Sequence, residues 1–139
     1  MPTRLIMPAR AARREDGQTA VEFALVAPIL IVLLLGIIQL GVTFHNYVTI
    51  TDAARAGARQ AIVARFSGGT TTTAENTVRA AAGDLDQSKL DVAVTPASLT
   101  TAGSTVTVTA TYPYEIDIPL LGLTVMSGDL TATAKEQLE

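Results

Sequence analysis

A chain of 139 residues has room for one compact domain plus accessory segments, and its formal net charge of −3 is unevenly spread. Four arginines (Arg4, Arg10, Arg13, Arg14) precede Gly17 against Glu15 and Asp16, whereas from His45 onward six basic residues face ten acidic ones. Basic and aromatic residues do not interleave, which argues against a nucleic-acid partner. The absence of cysteine excludes disulfides and thiolate metal sites, and a single histidine, His45, leaves zinc chemistry without its usual ligands. No metal and no cofactor are expected.

The first element is an apolar run. Phe23 to Leu40 reads FALVAPILIVLLLGIIQL, which as a helix covers roughly 27 Å, close to the hydrocarbon thickness of a bilayer. The expected membrane segment is about residues 23–44. A buried core helix would need polar positions on one face, and Ala24 to Ile38 has none. A secretory signal would need a shorter apolar region and a small-x-small cleavage site, which the stretch after Ile38 does not supply. Arg13-Arg14 is followed directly by two acids, a poor twin-arginine signal. Arginines before the span and few after it orient the amino end toward the cytoplasm. Pro28 removes the hydrogen bond to the Ala24 carbonyl, a defect that bilayer helices tolerate. Ala20, Ala24 and Ala27 recur at helical spacing and would admit a close neighbour.

Glu22 stands one residue before the apolar run. A carboxylate at mid-bilayer costs roughly 2.5–3.5 kcal/mol on insertion scales and less at the interface, so its presence asks for a function. Its context is Gly17-Gln18-Thr19-Ala20-Val21-Glu22-Phe23. This segment resembles the processing site of Flp-type prepilins, in which a prepilin peptidase cuts after the glycine and leaves glutamate fifth and an aromatic sixth. With the following span, Pro28 and Gly36, the stretch from Gly17 to Arg59 is similar to the TadE-like pseudopilins of tight-adherence pili. The resemblance implies cleavage between Gly17 and Gln18, processing and register roles for Glu22 and Phe23, and helix packing through Ala20, Ala24, Ala27 and Pro28. Its implied partners are the prepilin peptidase, other pilin subunits, the Tad secretion machinery and the membrane. The new amino group of Gln18 would be protonated near neutral pH, its reference pKa being about 7.7–8, and Glu22 would lie one turn away on the same face.

Beyond the span, Tyr47, Ile50, Ala54, Ala58, Ala61 and Ile62 recur at spacings of three or four, so the helix is expected to continue to Phe66. The small residues Ala53, Ala54, Gly57, Ala58 and Ala61 would let a sheet or second helix approach. Arg55, Arg59 and Arg65 read as a solvated stripe, and His45 as an interfacial polar residue. Ser67 to Thr71 is a connection, and Thr72-Thr73-Ala74-Glu75 suggests a capping box for a short helix reaching Leu85. The period then becomes two: Leu90 to Val94, Thr105 to Thr111 and Leu130 to Ala134 read as strands, with a turn at Thr101-Ala102-Gly103-Ser104 and Tyr114 to Ile118 as an edge strand or extended loop between prolines.

The expected class is α+β, pilin-like: a basic cytoplasmic leader (residues 1–17), a long helix with the membrane segment (18–66) and a small extracytoplasmic head of helix and antiparallel sheet (67–139). Two functions are open at this point, a cleaved minor pilin and an uncleaved single-pass envelope binding module. An enzyme is not expected, since Ser88-Lys89 is the best nucleophile and base on offer and nothing else assembles an oxyanion site.

Overall fold

The computed structural model describes residues 12–68, 70–96, 105–118 and 122–137, with backbone alone for 12–16. Most of the basic leader and the turn expected at Thr101–Ser104 lie outside the described residues. The elements in order are α1 (Ala12–Ser67), α2 (Thr71–Ala81), β1 (Asp91–Thr95), β2 (Thr105–Ile118) and β3 (Leu123–Gln137). The layout is α+β, and the chain comprises two compact units, Met1–Ile37 and Ile38–Glu139.

Helix α1 is assigned without interruption through Pro28. Inside it Thr43, Thr51 and Ser67 donate their hydroxyls back to the carbonyls of Gln39, Tyr47 and Val63, at 2.9, 2.7 and 3.1 Å. These internal bonds satisfy the hydroxyls within the helix itself. Gly68, at a φ of 72°, follows the last helical residue in the left-handed conformation that commonly ends helices.

The core belongs to the second unit. Ile50, Ala53, Ala54, Ala58, Ala61 and Ala64 of α1 are buried together with Ala74 and Val78 of α2 and with Val106, Val108 and Ala110 of β2. On the helix these positions repeat at three and four, so one narrow stripe of α1 meets both partners. The stripe is built from alanines because the approach is close. A Cβ placed on Gly57 would collide with Val78 Cγ2 and lie 3.3 Å from the Ala74 carbonyl oxygen and 3.4 Å from Val108 Cγ1. The sheet is antiparallel throughout, in the order β1-β2-β3, with Thr109 opposite both Ala93 and Thr133. In β2 the alternation buries Val106, Val108 and Ala110 and turns the intervening threonines outward.

Three elements differ from the sequence reading. Helix α2 begins at Thr71 with Thr70 as its N-cap, not at the Thr72 box, and Thr73 Oγ1 accepts the Thr70 backbone N–H at 3.4 Å. It stops at Ala81 rather than Leu85. Ala82 and Leu85 are buried and prolong the helical pattern of Ala74 and Val78, but the chain there turns. Gln87 Nε2 donates to the carbonyls of Ala82 (2.7 Å) and Leu85 (3.2 Å), and Arg79 donates to that of Leu90 (3.1 Å). These side chains satisfy carbonyls of the turn after α2 and of the residue before β1, which have no helical partner.

The second difference is that Tyr114 to Ile118 continues β2 through Pro113. That proline stands past the last pair with β1, Asp91 opposite Thr111, where one side of β2 has no partner strand and an N–H is dispensable. Third, β3 starts at Leu123, well before Leu130, and pairs with this whole extension.

Because Val78 is a stiff β-branched residue, Gly57→Ala is expected to overpack the core by about 1–3 kcal/mol, outweighing the gain of about 1 kcal/mol in helix propensity. Thermal unfolding in detergent should show a clear fall in Tm. Gly36→Ala, which meets open space, should show none, and equal behaviour of the two variants would contradict the close approach.

Candidate functional site

Along Phe23–Leu40 no side chain is buried: Leu25 is 70% exposed, Ile29 69%, Leu33 60% and Ile37 59%, positions that include more than one face of the helix. Exposing a large aliphatic side chain to water forfeits about 1.5–3 kcal/mol each. Over this run the loss is of order 20 kcal/mol, more than the whole stability of about 5–15 kcal/mol expected of a domain. The helix is long and apolar enough to cross a membrane, and water is not a tenable solvent for it.

The expected site residues all lie on the first turns of this helix. Gly17 is exposed, and a side chain there would meet nothing within 4 Å. Gln18 Nε2 donates to Glu22 Oε1 at 3.1 Å, so the two residues share a face. Phe23 is 69% exposed. Ala20, Ala24 and Pro28 are exposed and Ala27 is half-buried. At about 100° per residue, Ala20, Ala24 and Ala27 form a stripe on the side of the helix roughly opposite Gln18 and Glu22. The site is therefore two-sided, with a carboxylate on one side and small residues on the other.

Residues 17–59 match the family model described as TadE-like protein. This segment is TadE-like. No curated protein and no solved structure matches the chain. The TadE-like segment takes in Gly17, Glu22, Phe23, the apolar run and the alanine stripe through Ala58, and stops before α2 and the sheet.

Elsewhere the polar clusters are of modest chemical reach. His45 Nε2 lies 3.8 Å from Asp84 Oδ2, both side chains well exposed, and Arg55 pairs with Asp52 at 3.4 Å. Among the described residues no group of His, Asp and Glu is placed to hold a metal ion. Ser88 donates its hydroxyl to Asp86 Oδ1 at 2.6 Å and its backbone N–H to the same atom at 3.0 Å. This hydroxyl is thus committed to a turn rather than to Lys89. One residue passed over in the sequence reading is Gln39, the amide in the last turn of the apolar run, whose Nε2 donates to the Asp117 carbonyl at 2.7 Å. Its signal was a lone polar residue where everything around it is aliphatic.

The hydrogen bonds from Ser88 hold the Asp86 carboxyl below its ordinary value, the side-chain bond first and the backbone bond second. The folded pKa lies under the unfolded one, so this turn contributes stability above the unfolded pKa and loses it as pH falls through the folded value. NMR titration should show the Asp86 pKa rising in Ser88→Ala, and an unchanged value would remove the hydroxyl as the cause.

Proposed function

We propose that this chain is a minor pilin or pseudopilin of a tight-adherence pilus, made as a precursor and cut by a prepilin peptidase between Gly17 and Gln18. The observation that carries the reading is the coincidence of three features on one segment: the TadE-like match over residues 17–59, an accessible glycine at its start, and an apolar helix directly after it. Residues 1–17 act as a cytoplasmic leader, 18–66 as the helix, and 67–139 as a head held outside the cytoplasmic membrane. The arginines before the span favour that orientation.

In this scheme the residues act by position. Gly17 admits the peptidase, because a backbone without a Cβ can leave the helix at low cost and fit an extended cleft. After cleavage Glu22 lies one turn from the new ammonium of Gln18, where opposite charge near a helix start is favourable. In lipid an unpaired charge is expensive, so a partner chain's ammonium beside Glu22 would define a stagger between helices. The alanine stripe faces the other way. A chain that meets one neighbour through Glu22 therefore meets a different one through Ala20, Ala24 and Ala27, the head-to-tail pattern that builds open filaments. Other pilin subunits and the Tad secretion machinery are the partners this reading requires.

Mass spectrometry of the protein from cells that hold the peptidase should give a chain beginning at Gln18, free or cyclised, and Gly17→Val should restore the uncut chain. An intact Met1 terminus in the wild type would favour the uncleaved envelope-anchored binding module instead. Pro28→Ala is expected to leave membrane insertion intact and to lower pilus output, by easing less bending during extraction from the bilayer; unaltered piliation would remove that role from the proline.

A further inference from the structure

The end of the second unit that carries Ile38 to Phe44 of α1 also carries the last described residues of β2, Asp117 among them. Past the last pair with β1 the hairpin continues as a two-stranded arm, residues 112–118 against 123–130. A two-stranded ribbon with nothing on its faces is marginal in water. In register Ile116 stands opposite Met126 and Ile118 opposite Leu123. Directly opposed residues share a face, and this face follows the parity of Val106, Val108 and Ala110, the core face of the sheet. Glu115 opposite Ser127 and Asp117 opposite Thr124 form the other face. The arm is amphipathic, and on its apolar side Ile116 and Ile118 are half-buried while Leu123 is 58% exposed and Met126 54%, with Val125, at the register break, 61%.

What lies at this level is set within the unit itself. Gln39 Nε2 donates to the Asp117 carbonyl at 2.7 Å, while Val108 packs at Gly57. From Val108 to Asp117 is roughly 30 Å of strand, and from Gly57 to Gln39 roughly 27 Å of helix. The strand thus runs alongside α1 toward its apolar end, and Ile118 and Leu123 lie one step beyond Asp117 in that direction. The helix at this end is equally bare, with Ile38 53% exposed, Leu40 58%, Val42 55% and Phe44 68%. Ile38 to Leu40 are the closing residues of the run that lipid must cover. Tyr112 and Tyr114, which with Ile38, Gln39 and Val42 line a crevice between arm and helix, stand where membrane proteins place aromatic side chains, at the boundary of hydrocarbon and water.

We propose that the β2–β3 arm is a second membrane contact, its Ile116, Ile118, Leu123 and Met126 face lying in the head-side leaflet of the bilayer that α1 crosses and its acidic face toward the head groups. The inference rests on the membrane reading of α1. A second contact made by the head restrains how it tilts over the membrane, which a single helix does not.

The test uses the full chain, free of native cysteine, in phosphatidylcholine nanodiscs at one chain per disc. A nitrobenzoxadiazole label is placed at Val125→Cys, Leu123→Cys, Leu33→Cys or Thr133→Cys. Shallow doxyl-labelled lipid should quench the label at 125 and 123 at least twofold more than at 133, and aqueous iodide should show the reverse order. The label at 33, near mid-span, reports the helix alone and is read with doxyl placed deep in the acyl chain. Quenching by lipid at 33 with iodide-accessible labels at 123 and 125 overturns the arm contact while the anchor stands, and no lipid quenching at 33 overturns the anchor itself. Protection at 123 and 125 found only with several chains per disc also overturns the proposal, because a second copy would then be the occupant.

Discussion

Everything in this molecule is subordinate to one constraint: a helix that is apolar on all sides from Phe23 to Ile38 must be kept from water by something other than its own fold. No residue of that run is buried, and the free energy at stake exceeds what a head of this size supplies. The consequence is a division of labour along one helix. Its apolar run needs a cover that the fold does not supply, and its second half, from Ile50 onward, becomes the central column of a protein core. The transition is visible in residue size, since Phe, Leu and Ile give way to the alanines and Gly57 that allow α2 and β2 to come within van der Waals distance.

That division also explains why the head folds at all. The part after Ser67 is small for an independent core, and its buried set includes six residues donated by α1, Ile50 through Ala64. Helix and head are therefore not separable pieces joined by a linker: the sheet and α2 use the helix as their inner wall. Within the second unit the Gln39–Asp117 bond adds a further point of attachment between α1 and the sheet.

The large features were legible in the sequence because each rests on an uninterrupted pattern. The long apolar helix is a run with no polar residue from Ala24 to Ile38, the small-residue face reads directly as Ala53, Ala54, Gly57, Ala58 and Ala61, and Thr105 to Thr111 alternates without a break. The resemblance carried by Gly17 to Phe23 and the run after them was legible too, and the TadE-like match covers the same stretch, Gly17 to Arg59. What escaped was governed by tertiary context. The end of α2 was overrun because Ala82 and Leu85 keep the helical apolar spacing while Gln87 and Arg79 satisfy the carbonyls of a turn. The hairpin arm was shortened because Pro113 reads as a strand breaker unless one knows that β1 has already ended. In the arm Gly128 is opposite Tyr114, whose ring occupies the space a side chain would need, 3.2 Å from its Cβ position.

The central claim is that one helix changes solvent part-way along its length. Single cysteines placed from Val21 to Phe66 of the full chain in native membranes, and exposed to a membrane-impermeant maleimide, test it most directly. An unbroken unreactive block over about residues 23–40, followed by reactivity that dips at 50, 53, 54, 57, 58 and 61, is the expected profile. Reactivity within the first block that rises and falls with a helical period would mean that one face of it meets water, and would contradict the account.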